Sequence, residues 1–168
     1  MPVPLPFDPI EEARRQWRAQ GWTAAAHGMA AVTSVMRVQQ LLLARVDAVL
    51  EPFELTFSRF EVLALLAFSR QGELPLGKIG RRLQVHAASV TNAVQRLEAQ
   101  RLVRRRPHPT DGRTVLAQIT PKGQRVMRAA AAALNAVFIG LPLGAAELDA
   151  LVATLQTLRH DAGDFVRA

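Results

Sequence analysis

Apolar positions recur at helical spacing through most of this chain and give way to short strand-like runs only around one turn-rich stretch. The pattern therefore predicts a mainly helical protein with one small β element. Asp8 can cap a helix, Pro9 suits its first position and Glu11 follows the cap by three residues, with Gly21 as the stop. Ile10, Ala13 and Trp17 then share a face. From Trp22 to about Leu50, a single long helix carries Val32, Val35, Met36, Leu42, Leu43, Val46 and Leu50 on an apolar surface too broad for one protomer to cover. Glu51-Pro52 interrupts it. Thr56 is expected to cap a helix through about Ser69, with Phe60, Leu63, Leu66 and Ala67 inward.

Gln71-Gly72 ends that helix, and Pro75 is expected to start a short one to about Leu83, inward at Ile79 and Leu83. A tight turn at 84–86 leads to another helix from Ala87 to about Gln100, so the pair reads as a helix-turn-helix. Leu102 to Arg106 and Thr114 to Ile119 read as strands around a tip rich in Pro, Asp and Gly, a β-hairpin. Thr120-Pro121 then supplies the cap and first residue of an alanine-rich helix to about Ile139. A last helix places Leu148, Leu151, Val152, Leu155 and Leu158 on one stripe.

Length and composition narrow the function. At 168 residues the chain suits one domain with a sizeable core, or a small domain plus an assembly element. Prolines at 2, 4, 6 and 9 make residues 1–9 an extended arm. The chain has no cysteine, which excludes disulfides, thiolate metal sites and cysteine redox switches. No apolar run approaches the roughly 18 residues of a membrane span, and no signal peptide opens the chain, so the expectation is a cytoplasmic protein without a membrane partner. Net charge is +7, yet between Lys78 and Arg128 twelve basic residues face only Glu98 and Asp111, so the rest of the chain is net negative. A positive field this concentrated marks a site for a polyanion.

On the helix from Ala87 to Gln100, Val90, Ala93, Val94 and Leu97 form the inward stripe. Ala88, Asn92 and Gln95 lie opposite, flanked by Thr91 and Arg96. Asn and Gln can pair twice with adenine, Thr and Ala can touch the thymine methyl, and Arg can bind guanine or phosphate. The same face would also serve as a merely solvated surface; the short helix before it and the basic hairpin after it favour recognition. At the hairpin, Arg104, Arg105 and Arg106 suit phosphates, and Arg113 can enter a narrow minor groove with Asp111 pairing to it and fixing its direction. His27, His86, His108 and His160 lack metal-ligand spacing, and no catalytic motif or nucleotide-binding loop is present, so neither a metal, a cofactor nor an enzymatic activity is expected.

The segments LPLGKIGRRLQV, VTNAVQRLEAQRLVRR, the tip PHPTDGR and the closing ITPKG together resemble the winged helix-turn-helix of the MarR family of bacterial transcription regulators. The likeness extends from about Trp22 to Phe165. It implies a mainly α fold with a small β-hairpin wing, in which a winged helix-turn-helix (51–120) follows the arm (1–9) and N-terminal dimerisation helices (10–50) and precedes C-terminal dimerisation helices (121–168). It also implies an obligate homodimer that sets two recognition helices in successive major grooves of double-stranded DNA. Lys78, Ala88, Ser89, Thr91, Asn92, Gln95, Arg96, Arg104, Arg105, Arg106, Asp111 and Arg113 would then lie at the DNA. Two positions depart from the family pattern. Arg101 stands where a glycine usually ends the recognition helix, and Gly112 replaces a charged residue between Asp111 and Arg113.

The function expected from these features is a ligand-responsive repressor acting as a homodimer on a pseudo-palindromic operator in the bacterial nucleoid; the alternative is a sequence-tolerant architectural DNA-binding protein. The added N-terminal helix, DPIEEARRQWRAQGW, resembles that of the family's urate-responsive branch. Trp17 with Arg14 or Arg15 would offer a stacking surface and a cation to a small anionic or aromatic effector, or Trp17 simply packs the helix in place.

Overall fold

The computed structural model describes residues 4–166, which divide after Leu134 into two compact units. In the first unit, α1 (Pro9–Ala19) begins as its sequence predicts, with the Asp8 carboxylate accepting the Ile10 N–H at 2.9 Å. The long helix α2 (Thr23–Leu50) buries only Ala26, Val46 and Leu50. Val32, Val35, Met36, Leu42 and Leu43 stay exposed, Met36 at 61%, so its broad apolar face is left uncovered within this unit.

A single 3-10 turn (Glu51–Phe53) leads to α3 (Phe57–Ala67). The capping expectation needs correction here. Thr56 occupies the N-cap position but makes no capping bond; its hydroxyl lies 3.1 Å from the Ser58 hydroxyl and accepts from Arg59 Nε at 3.2 Å. The orphan N–H of Phe57 instead donates to the Asp47 carboxylate of α2 at 2.9 Å, a tie across ten residues that local sequence does not signal. The inward stripe is also turned by part of a step: Val62, Leu63 and Leu66 are buried, whereas Phe60 and Ala67 are half-buried.

The β element is larger than a hairpin. Glu73–Pro75 forms a strand, β1, that pairs antiparallel with β3 (Val115–Ile119), which pairs on its other edge with β2 (Val103–Pro107). Leu74 and Arg105 both stand opposite Ala117. A three-residue strand is too short to display an alternating period, which is why the sequence pattern does not signal this one. Pro75 therefore ends β1 and takes the N-cap position of α4 (Leu76–Leu83), rather than lying inside that helix.

The turn from α4 to α5 (Ala87–Ala99) is set by close packing. A Cβ on Gly80 would stand 3.2 Å from the Val85 carbonyl oxygen and 3.4 Å from Val90, so glycine lets the helices approach. Ile79, Val90, Val94 and Leu97 are buried with Leu63, Leu66, Leu102, Val103, Leu116 and Ala117 in the core of this unit, while Leu83 is half-buried. Each fully buried aliphatic side chain contributes about 1.5–3 kcal/mol, which is what holds α5 against the sheet.

α5 ends in a left-handed cap made by an arginine. Arg101 adopts φ 62°, its N–H donates to Glu98 O at 2.9 Å, and the Leu102 N–H donates to Leu97 O at 2.9 Å. These are the two bonds of a Schellman motif, closed by buried Leu97 and Leu102, so the helix terminates where a glycine would end it. α6 (Pro121–Ile139) then starts with the Thr120 hydroxyl accepting the Gly123 N–H at 3.0 Å, as predicted.

In the second unit, α7 (Ala145–Asp161) follows the end of α6. Leu148 and Leu155 are half-buried and Leu151, Val152 and Leu158 exposed, so this stripe too is uncovered. Arg159 closes the helix by pairing with Asp164 at 2.6 Å and lying over the Phe165 ring at 5.3 Å.

Candidate nucleic-acid interface

Because Val90, Val94 and Leu97 anchor α5 on one side, its other side is presented outward. Ala88, Thr91, Asn92, Gln95 and Arg96 are all exposed, as the helical angles predict, and so is Ser89. The Thr91 hydroxyl donates to the Ala87 carbonyl at 3.0 Å. The His86 ring Nδ1 accepts the Ala88 N–H at 3.3 Å and so caps the helix at its presented end. Beside this face lies an open groove of about 440 Å³, in which Ser58 and Arg59 at the start of α3 join Ser89, Asn92 and Arg96. Sequence reasoning missed Ser58 and Arg59; a polar pair in the first turn of a helix was the only signal for them.

At the wing tip, the Asp111 carboxylate accepts the Arg113 N–H at 3.0 Å and the Thr114 hydroxyl at 2.6 Å. Asp111 is thus tied to the main chain of Arg113 and not to its guanidinium, a correction to the expected side-chain pair. The cause is reach: an Asp two residues upstream in a tight turn lies over the backbone N–H. The Thr114 hydroxyl, and after it the Arg113 N–H, hold the Asp111 carboxyl below its usual range. A Cβ at Gly112 would meet nothing within 4 Å. Arg113 is exposed, and no carboxylate among the described residues pairs with it.

The basic run on β2 is engaged differently. Arg104 Nε donates to Gln118 Oε1 at 2.8 Å, across from it on β3. Arg105 Nε donates to Glu98 at 2.6 Å, and its N–H donates to the same carboxylate at 2.9 Å. Those two donors, the main-chain N–H first, hold Glu98 below the ordinary carboxylate range against a partial opposing effect of burial. Arg106 forks onto Glu73 of β1, with Nε 2.9 Å from Oε2, bridging both outer strands across β3. Lys78 is exposed on α4.

The candidate effector residues lie far along the chain, on α1. Arg14 pairs with Glu11 at 2.8 Å and Arg15 with Glu12, each on its own helix. Trp17 is half-buried and packs edge to face on Trp22, ring centres 5.2 Å apart. Among the described residues, no three His, Asp or Glu converge to hold a metal ion, and no helix is long and apolar enough to cross a membrane.

This arrangement of helix pair, sheet and wing recurs among known proteins. Residues 53–114 match the model described as MarR family. Sco5413, a MarR family transcriptional regulator from Streptomyces coelicolor, is 52% identical, with a TM-score of 0.75 over 83% of this chain and 98% of its own. The HTH-type transcriptional regulator MhqR of Bacillus subtilis is 37% identical over 98 residues, 58% of this chain and 59% of its own length. Sco3205, a MarR family regulator of Streptomyces coelicolor whose structure is a complex with DNA, shares the fold at 23% identity, with a TM-score of 0.75 over 81% of this chain and 88% of its own. With near-complete coverage of Sco5413 at that identity, and the winged helix in place, the chain belongs to the MarR family of transcriptional regulators.

Proposed function

We propose that this regulator binds double-stranded DNA sequence-specifically as a homodimer, acting as a ligand-responsive repressor on a pseudo-palindromic operator. The observation that carries the reading is α5, a helix pinned by buried Val90, Val94 and Leu97 so that a small polar face, Ala88 to Arg96, points away from the core beside a braced basic wing tip. In the major groove, Asn92 and Gln95 pair with adenine edges, Ala88 and Thr91 meet thymine methyls, and Arg96 reaches guanine or phosphate. Arg113 enters the minor groove from the tip that Asp111 braces. Lys78 and Ser89 take phosphates, as do Arg104 and Arg105 with the edges that Gln118 and Glu98 leave free, and Arg106 chiefly braces the sheet that carries the wing.

The uncovered apolar faces of α2 and α7 support a second copy as their cover, with 10–50 and 121–168 as dimerisation segments around the 51–120 reader. A small anionic or aromatic effector favouring a dimer with wrongly spaced recognition helices would weaken DNA binding by linkage. On α1, the pairing of Arg14 and Arg15 with acids of their own helix and the Trp17–Trp22 contact favour a packing role over effector binding. Such a protein works on the nucleoid in the cytoplasm and catalyses no reaction.

The test is binding to a duplex that the protein itself selects from a random pool. Asn92→Ala and Gln95→Ala should each lower the preference for the selected duplex over random DNA by 1–3 kcal/mol, about 5- to 150-fold, with random-duplex affinity unchanged. Arg113→Ala should weaken both. Equal losses on both duplexes for Asn92→Ala and Gln95→Ala would leave only the architectural alternative.

A further inference from the structure

Two cations not yet given a role, Arg70 and Arg82, join Lys78 in having no acid to hold them. Among the described residues, Arg70, Lys78 and Arg82 are exposed and none has a carboxylate within salt-bridge distance. Lys78 and Arg82 stand four residues apart on α4, an arrangement of like charges that costs a few tenths of a kcal/mol unless an anion sits between them. Arg70 approaches the same space from the segment between α3 and β1. The three line one groove of about 580 Å³, whose far wall is the wing at His108 and Thr110. Glu73 also borders this groove, but its carboxylate is occupied by the Arg106 fork, which leaves the walls net positive.

The groove does not stand alone. Lys78 and His108 also line a neighbouring groove of about 530 Å³ that contains Arg81 and Arg113. The two grooves share Lys78, so exposed cations line the surface from Arg113 at the wing tip, past Lys78, to Arg82 and Arg70. A track of exposed, long and flexible side chains fits a repeating anion better than a small ligand, because it offers charge without a buried polar group to select a shape.

We infer that this groove receives backbone phosphates of the duplex flanking the operator, beyond the base pairs read by α5 and the wing tip. The inference rests on the DNA-binding reading above and extends its footprint outward from each wing. These contacts add affinity and salt dependence without adding sequence preference, since phosphates carry none.

The test uses the full chain and a duplex it selects from a random pool, prepared in two lengths: trimmed to the selected palindrome, or extended by about eight base pairs of arbitrary sequence at each end. Affinities are measured by fluorescence anisotropy from 50 to 200 mM salt. The wild-type chain should bind the extended duplex about tenfold more tightly, with a steeper salt slope. The double variant Arg70→Gln/Arg82→Gln should lose that gain, with the salt slope on the extended duplex falling by about one for each cation removed, and should bind the trimmed duplex as the wild type does. Arg125→Gln/Arg128→Gln, which removes the same charge from α6, should keep the gain.

Three results would overturn the inference: a flank gain that survives in Arg70→Gln/Arg82→Gln, an equal loss on both lengths, or no gain in the wild type. Failure of the underlying reading looks different, because the wild type would then fail to distinguish the selected duplex from random DNA at either length, and the inference would fall with it.

Discussion

On β2, Arg104, Arg105 and Arg106 stand in consecutive positions, and each is held by a neighbour in the same unit, Gln118, Glu98 and Glu73 respectively. On α4 and at the wing tip, Lys78, Arg82 and Arg113 are as basic and lie close by in sequence, yet among the described residues no carboxylate holds them. The difference is one of secondary structure. A strand paired into a sheet gives its side chains neighbours at fixed spacing, so Arg104 meets Gln118 directly across the ladder and Arg106 reaches diagonally over β3 to Glu73. A short exposed helix and a turn tip offer no such neighbours, and their cations remain available. Density of arginine along a sequence is therefore a poor guide to where charge is free. The densest run in this chain is largely spent on holding the wing together.

The largest expected effect strikes the frame that both regions share. Gly123, in the first turn of α6, lies so close to the junction of α5 and β2 that a Cβ there would stand 2.1 Å from the Leu102 carbonyl oxygen and 2.9 Å from Ile119. Both obstacles belong to the core and one is backbone, so neither can swing away. Gly123→Ala should cost about 3 kcal/mol or more, at or beyond the upper end of ordinary overpacking, read as a lowered denaturant midpoint. A loss under about 1 kcal/mol would mean that α6 can shift freely on the wing, and the two regions would not share one frame.

The next effect separates the two regions. Glu73→Gln removes the charge from the Arg106 fork, whose acid is the better buried partner, and should cost about 1–2 kcal/mol of stability. DNA affinity should hold or rise, because a freed guanidinium can turn to phosphate. Arg113→Ala should do the reverse, sparing stability and weakening DNA binding. Should Glu73→Gln weaken DNA binding as much as Arg113→Ala, the spent and available groups would have to be reassigned.

Much of this could be read from residue order. The helices, the inward stripe of α5, the Asp8 and Thr120 caps and the exposed set from Ala88 to Arg96 all follow from periodicity and capping chemistry over windows of ten residues or more. What escaped depends on partners distant in sequence. The cap on α3 comes from Asp47, β1 exists because Gln118 and Ala117 offer it an edge, and Arg106 is claimed by a glutamate 33 positions away. Arg101 shows the opposite case, since the tertiary packing of Leu97 and Leu102 imposes a left-handed residue that arginine would not choose. At the wing tip, the residue types were legible while the atoms they use were not: Asp111 braces Arg113 through its main chain.

The smallest effect tests whether the Arg105 pair belongs to the structure alone. Glu98 lies below the ordinary carboxylate range because the Arg105 N–H and guanidinium favour its charged form. A carboxyl whose folded pKa is lowered stabilises the fold at pH values above its unfolded pKa, about 4.3 for glutamate, and that contribution is lost as pH falls from there through the lowered value. Glu98→Gln cannot ionise, so this component should vanish from its pH profile. The wild type should therefore lose more stability than Glu98→Gln between about pH 5 and pH 3, by no more than the roughly 1 kcal/mol of a surface pair. At pH 7 the variant should bind DNA as well as the wild type or slightly better, because Arg105 is then released to the phosphates. Parallel pH profiles for the two proteins would mean that the pair contributes nothing to the fold, and would return Arg105 to the same standing as Arg113.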